Sequence, residues 1–133
     1  HYKNGKRDGL WTSWNPNGKK KLEKHYKDGK WIEEINYYPN GIKKTIWQSK
    51  DGRGPRQGIE NGMKIKWYSD GRKTFEKYYK DGKPDGHWIE WYSNGKKKLE
   101  KHYKNGKEDG LWTEWDREGK KTFQGNFVDG NEQ

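Results

Sequence analysis

The sequence predicts an all-β fold: an elongated, single-layer, twisted antiparallel sheet of repeated β-hairpins, about five units of ~24 residues. Three observations predict it. Glycines come in pairs 11 residues apart: Gly18 and Gly29, Gly41 and Gly52, Gly71 and Gly82, Gly95 and Gly106, Gly119 and Gly130. Aromatic residues recur in register with those glycines. No segment of sufficient length carries a helical period.

Each element follows from its place relative to the first glycine of a pair. Four residues before it stands an aromatic: Trp14, Tyr37, Trp67, Trp91 or Trp115. Seven before it, three units carry Trp11, Trp88 or Trp112. Nine before it, four units carry Gly9, Gly62, Gly86 or Gly110. These positions make the first strand. Asn15-Pro16-Asn17-Gly18 and Tyr38-Pro39-Asn40-Gly41 then suit a type I turn closed by a left-handed residue, the three-residue hairpin loop with a bulge. Tyr92-Ser93-Asn94-Gly95 keeps the pattern without proline. The second strand carries Leu22, Phe75, Leu99 or Phe123, and four residues later Tyr26, Tyr79, Tyr103 or Phe127. An even spacing sends both side chains to one face. An Asn-Gly or Asp-Gly turn ends the unit, and strands of five to seven residues fit between the turns. Structural roles fall on Trp14, Gly18, Tyr26, Trp67, Gly71, Tyr79, Trp91, Gly95, Tyr103, Trp115 and Gly119, with the aromatics stacked along one face.

Composition bounds the architecture further. The 133 residues suit one domain, yet only 26% are hydrophobic, 38% are charged and the net charge is +10. Ile, Leu, Val and Phe are scarce enough for disorder to be the default. Nine Trp and nine Tyr held to a fixed period argue against disorder. Each covers roughly 150–250 Å² when buried, enough for one sheet but not for a two-layer sandwich. The expected body is thin, with contacts between neighbouring units only. Cysteine is absent, which removes disulfides and thiolate chemistry. No stretch approaches the ~18–20 apolar residues of a membrane-spanning helix, and no secretory signal is visible.

The expected domain is a single array over residues 1–133. His1-Tyr2-Lys3-Asn4-Gly5 already sits in register with His25-Tyr26-Lys27-Asp28-Gly29, which reads as part of a longer chain. Unit two breaks the rhythm. Thr45 and Ser49 replace the expected apolar pair, Ile46 and Trp47 stand out of phase, and a six-residue insertion lies near residues 53–58.

The run from Tyr103 through Gly110, Trp112 and Trp115 to Gly119-Lys120-Lys121 resembles the MORN repeat in its variant form. The pattern returns at Tyr2–Lys20 and Tyr79–Lys97, with weaker copies between. That resemblance implies a β-hairpin array used for protein contact and dimerisation, with phospholipid headgroup binding as a further possibility. Antitoxins of toxin–antitoxin pairs are among the family's bacterial members. The family motif specifies a fold far more than a function.

The candidate binding residues are Trp31, Trp47, Lys50, Arg53, Arg56, Lys96, Lys97 and Lys98. Trp31 and Trp47 are the two tryptophans without repeat counterparts, and Lys50, Arg53 and Arg56 flank or lie in the insertion. The lysine clusters, including Lys96-Lys97-Lys98, all follow the same turn and should line one edge. Such a row attracts anionic lipid or nucleic acid, or it keeps exposed strands from pairing with other chains. The four histidines lack tight ligand spacing. His1, His25 and His102 occupy equivalent repeat positions and His87 stands alone, so no metal site is expected. Aspartates before glycines are turn residues, and no catalytic group stands apart from the repeat. The expected function is a non-enzymatic scaffold or binding module for a protein partner or a second copy, without cofactor or small-molecule substrate. Electrostatic binding of anionic phospholipid headgroups or nucleic acid through the lysine-rich edge is the alternative. Toxin neutralisation ranks lower, because a +10 chain has the wrong sign to block a cationic nuclease groove.

Overall fold

The structure is a computed structural model that describes residues 2–50 and 61–133. The expected insertion at 53–58, with Arg53 and Arg56, lies outside the described residues, as does His1. Among the described residues there is no helix. The strands are β1 (Tyr2–Lys3), β2 (Lys6–Arg7), β3 (Gly9–Trp14), β4 (Lys20–Lys27), β5 (Lys30–Tyr37), β6 (Lys43–Ser49), β7 (Gly62–Trp67), β8 (Lys73–Lys80), β9 (Lys83–Trp91), β10 (Lys97–Lys104), β11 (Lys107–Glu108), β12 (Gly110–Trp115), β13 (Lys121–Val128) and β14 (Asn131–Glu132). β1 and β2 form a small hairpin of their own. The others form one open antiparallel sheet in which β3 to β10, β12, β13 and β14 lie side by side in chain order, with β11 also on β10. The long strands run to eight or nine residues, more than the five to seven expected, because the Asx-Gly turns take only two residues from the ladder.

The two turn types explain the fixed 11-residue half-unit. In the first, Gly18, Gly41, Gly71, Gly95 and Gly119 all adopt positive φ, from 83° to 92°. Each donates its N–H back to the first turn residue, as Gly95 N does to Tyr92 O at 3.0 Å. The register slips by one residue beside these turns, at Trp14, Tyr37, Trp67, Lys97 and Trp115. This is the expected bulged loop. In the second, Asp28-Gly29, Asp81-Gly82, Asn105-Gly106 and Asp129-Gly130 have positive φ at both residues, the type I′ geometry that matches strand twist.

Turns of neighbouring units are tied to each other. The Tyr38, Tyr68 and Tyr92 hydroxyls donate to the Trp67, Trp91 and Trp115 carbonyls at 2.7, 3.2 and 2.8 Å. The Asn17, Asn40 and Asn94 amides donate to the Pro39, Ser69 and Arg117 carbonyls. On the other edge, the Asp8 and Asp85 carboxylates accept from the Asp28 and Asn105 N–H groups of the next I′ turn. These aspartates therefore serve the neighbouring unit as well as their own turn.

The aromatics occupy both faces of the sheet, not one. Trp88 and Trp91 are three residues apart on β9, so strand alternation sends them opposite ways. On one face, here the ladder face, Trp11, Trp88 and Trp112 meet Tyr26, Tyr79, Tyr103, Phe123 and Phe127 with ring centroids 5.0–6.4 Å apart. Trp14, Tyr37, Trp67, Trp91 and Trp115 stand on the other. There, Tyr37 donates to the Glu23 carboxylate. That bond, outweighing the effect of burial, holds Glu23 below its ordinary range.

The interior is correspondingly sparse. Among the described residues the buried side chains are only Trp31, Ile46, Ile65, Leu99, Phe127 and Thr113, with Gly62 buried between strands. Ile35, Ile46 and Ile65 are successive cross-strand partners, so the out-of-phase Ile46 belongs to an aliphatic strip beneath the ladder face. The accessible surface is 8541 Å² for 16.0 kDa. A compact monomer of that mass exposes about 7,400 Å², so this chain is thinner than a conventional globule.

Candidate functional site

The ladder face has a central row of cross-strand partners. Read across the sheet it runs Trp11, Lys24, Glu34, Trp47, Lys64, Lys77, Trp88, Lys101, with Trp112 next. The regular motif is a lysine at the sixth position after the turn glycine, lying over the tryptophan of the following unit. Lys101 Nζ sits 3.5 Å from the Trp112 ring centroid, and Lys77 Nζ 4.3 Å from that of Trp88. A lysine so placed covers the ring with its stem and gains cation–π attraction of about 0.5–2 kcal/mol.

Between units two and three the motif is inverted. Trp47 holds the lysine position and Lys64 holds the tryptophan position. The pair survives reversed, with Lys64 Nζ 3.9 Å from the Trp47 centroid. This explains why Trp47 looks out of phase in the sequence. The inversion has a second effect. Lys64 now faces Lys77 directly across the strands, and like charges so placed repel. Lys66 lies two residues along β7 on the same face, opposite Phe75. Among the described residues, none of Lys64, Lys66 and Lys77 has an ion pair.

Electrostatics agree with the geometry. Burial lowers the Lys64 ammonium pKa, and the charges of Lys77 and Lys66 lower it further. Burial also lowers that of Lys77, with Glu90 opposing. Phe75 helps to shield them, its centroid 4.4 Å from Lys77 Nζ and 5.5 Å from Lys64 Nζ. The arrangement is a half-buried cationic gap, walled by Trp47, Phe75 and Trp88, that an anionic group would complete.

Of the described residues singled out from the sequence, Trp47 lies at this gap and the others lie elsewhere. Trp31 is 6% exposed, partnered across the strands by Tyr26; it is part of the packing, not a surface for a ligand. Lys50 is exposed beside the gap-bearing strands, its N–H bonded to Asn61 O. Lys96 Nζ donates to Glu118 O at 2.9 Å, Lys97 Nζ lies 2.9 Å from Glu100, and Lys98 Nζ lies 5.8 Å from the Tyr92 ring centroid. The lysine edge is thus largely engaged by its own sheet. Lys19 likewise bonds Asn40 O, and Lys20 and Lys73 pair with Glu23 and Glu76. Lys64, Lys66 and Lys77 were missed because they look like ordinary strand lysines. The available signal was Lys64 standing where Trp11, Trp88 and Trp112 stand in the regular units.

Comparison with known proteins agrees with this architecture. The profile of the MORN repeat variant matches residues 7–28, 84–105 and 108–129. No curated protein matches the chain. The matched segments carry Trp11, Trp88 and Trp112 at their regular positions, and the unmatched centre holds the inversion. With its hairpin units, bulged glycine turns and single open sheet, the chain belongs to the MORN repeat family, in its variant form.

Proposed function

We propose that the array is a non-enzymatic binding module that takes an acidic segment of a protein partner on its ladder face, with carboxylates seated at Lys64, Lys66 and Lys77. The observation that carries this reading is the inverted Trp47–Lys64 pair, which leaves two half-buried lysines facing each other with no ion pair to either among the described residues. A carboxylate arriving there relieves the repulsion and makes charge-assisted hydrogen bonds of about 1.5–3 kcal/mol. Tryptophan and phenylalanine walls favour a peptide, whose apolar side chains can pack beside its acidic ones. Binding of anionic headgroups or nucleic acid along the lysine edge is less well supported, because Lys96, Lys97 and Lys98 already have partners within the sheet.

The test is calorimetry with a glutamate-rich peptide containing one aromatic residue, and with its glutamine counterpart. The wild type is expected to bind the acidic peptide at least ten-fold more tightly. Lys64→Gln with Lys77→Gln should remove that preference while the fold is kept, as circular dichroism checks, since the lost cation–π contacts are offset by the deleted repulsion. Lys97→Gln with Lys98→Gln should leave binding unchanged. Loss of binding in the edge variant alone, or binding of anionic vesicles or single-stranded DNA with no response to the peptide, overturns the reading.

A further inference from the structure

The face opposite the ladder carries a pair of imidazoles that the repeat does not call for. His87 on β9 and His102 on β10 are direct cross-strand partners. Their ring centroids are 4.5 Å apart with planes at 60°. His87 is therefore not isolated, as its sequence position suggests. Nor are His25 and His102 neighbours: His25 faces Leu10 on one side and Glu33 on the other, with Nδ1 3.5 Å from a Glu33 carboxylate oxygen. Of the five units, only the fourth carries histidine at both facing positions.

The geometry points to His87 and His102 as a bidentate site for a divalent transition-metal ion of the copper or nickel class. Imidazole nitrogens bind such ions at about 2.0–2.1 Å. Two imidazoles bound at a right angle, as in tetragonal coordination, place their ring centres roughly 4.5 Å apart. The structure already has that separation, so binding needs ring rotation and no strand movement. A right angle favours Cu²⁺ or Ni²⁺ over tetrahedral Zn²⁺, and Cu²⁺ binds nitrogen donors most strongly of the series.

The support is rigid. His87 and His102 belong to one hairpin, closed by the turn Tyr92–Gly95. That turn is held by Tyr92 Oη to Trp115 O and by Asn94 Nδ2 to Arg117 O. The Tyr78 ring lies edge-on to His87 at 6.3 Å and limits the directions its imidazole can take. Among the described residues no group of three ligating side chains forms, so water or a donor from another molecule would fill the remaining positions.

The experiment is titration of the folded chain with Cu²⁺ in a non-coordinating buffer, read by electron paramagnetic resonance. All proteins carry His1→Ala, so that the imidazole of residue 1 does not compete for the ion. One equivalent is expected to bind with hyperfine coupling from two nitrogens. His87→Gln and His102→Gln should each weaken binding at least ten-fold, and His25→Gln should not change it. Ni²⁺ should raise the thermal midpoint of the parent and not of the first two variants, whose fold circular dichroism checks. A spectrum indifferent to His87 and His102, or equally sensitive to His25, overturns the site.

Discussion

Gly62→Ala is expected to separate the sheet between β6 and β7. Gly62 is buried at φ 150°, and a Cβ there would lie 2.0 Å from the Gln48 carbonyl oxygen. That oxygen belongs to the facing backbone and cannot move without loss of the pairing. Backbone strain of ~1–3 kcal/mol and overpacking of a similar size combine, so the expected loss is at least about 3 kcal/mol. Packing in this chain runs between adjacent strands, so the break should uncouple the units on either side. Urea unfolding should change from one transition to two. Gly86 occupies the same repeat position, but a Cβ there would meet only the Tyr78 side chain, no closer than 3.6 Å. Gly86→Ala should cost about 1–3 kcal/mol from its φ of 97° alone and leave a single transition.

The second large effect is expected at Trp88. Its ring receives Lys77 Nζ at 4.3 Å and packs against Tyr103 and Tyr79 at 5.4 and 5.9 Å. Its Nε1 donates to a Glu90 carboxylate oxygen at 3.3 Å. Trp88→Ala removes the ring that joins three strands, and tryptophan truncations in packed sites cost about 3–5 kcal/mol. Trp88→Phe should recover more than half of the loss in chemical denaturation. Trp14 has the same residue type but is 59% exposed, and Trp14→Ala should cost less than about 1 kcal/mol. Equal losses at Trp14 and Trp88 would mean that burial does not decide what each ring contributes.

Much of the fold was legible because glycine leaves a geometric signature. Gly18, Gly41, Gly71, Gly95 and Gly119 mark bulged turns by spacing alone, and the structure gives all five positive φ. The two-sided placement of the aromatics was also legible in the odd offset between Trp88 and Trp91, although the shared repeat rhythm suggested one face. The cross-unit bonds of Tyr38, Tyr68 and Tyr92 were not legible, because a hydroxyl reaching 23 or 29 residues ahead leaves no local pattern.

The candidate site was only half visible. Trp47 stood out as a departure, and the structure supplies its partner, Lys64, and hence the confrontation with Lys77. Sequence offsets alone do not pair a sixth position with one across an interrupted loop. The exposed lysines of the edge were conspicuous by clustering, yet Lys19, Lys96 and Lys97 are tied to Asn40, Glu118 and Glu100. Clustering in sequence reports charge density; availability depends on what lies across the next turn.

Cation and ring are interchangeable partners along the ladder row, and their reversal between units two and three is the source of the gap. The most direct measurement is the unfolding free energy of the double variant Trp47→Lys/Lys64→Trp. It restores the regular order, sets a lysine beside Glu34 as Lys24 already is at 3.7 Å, and removes the charge facing Lys77. The predicted result is stability equal to the wild type or higher by about 0.5–1 kcal/mol. A loss of more than about 2 kcal/mol would contradict it, because the two positions would then demand their own side chains rather than a matched pair.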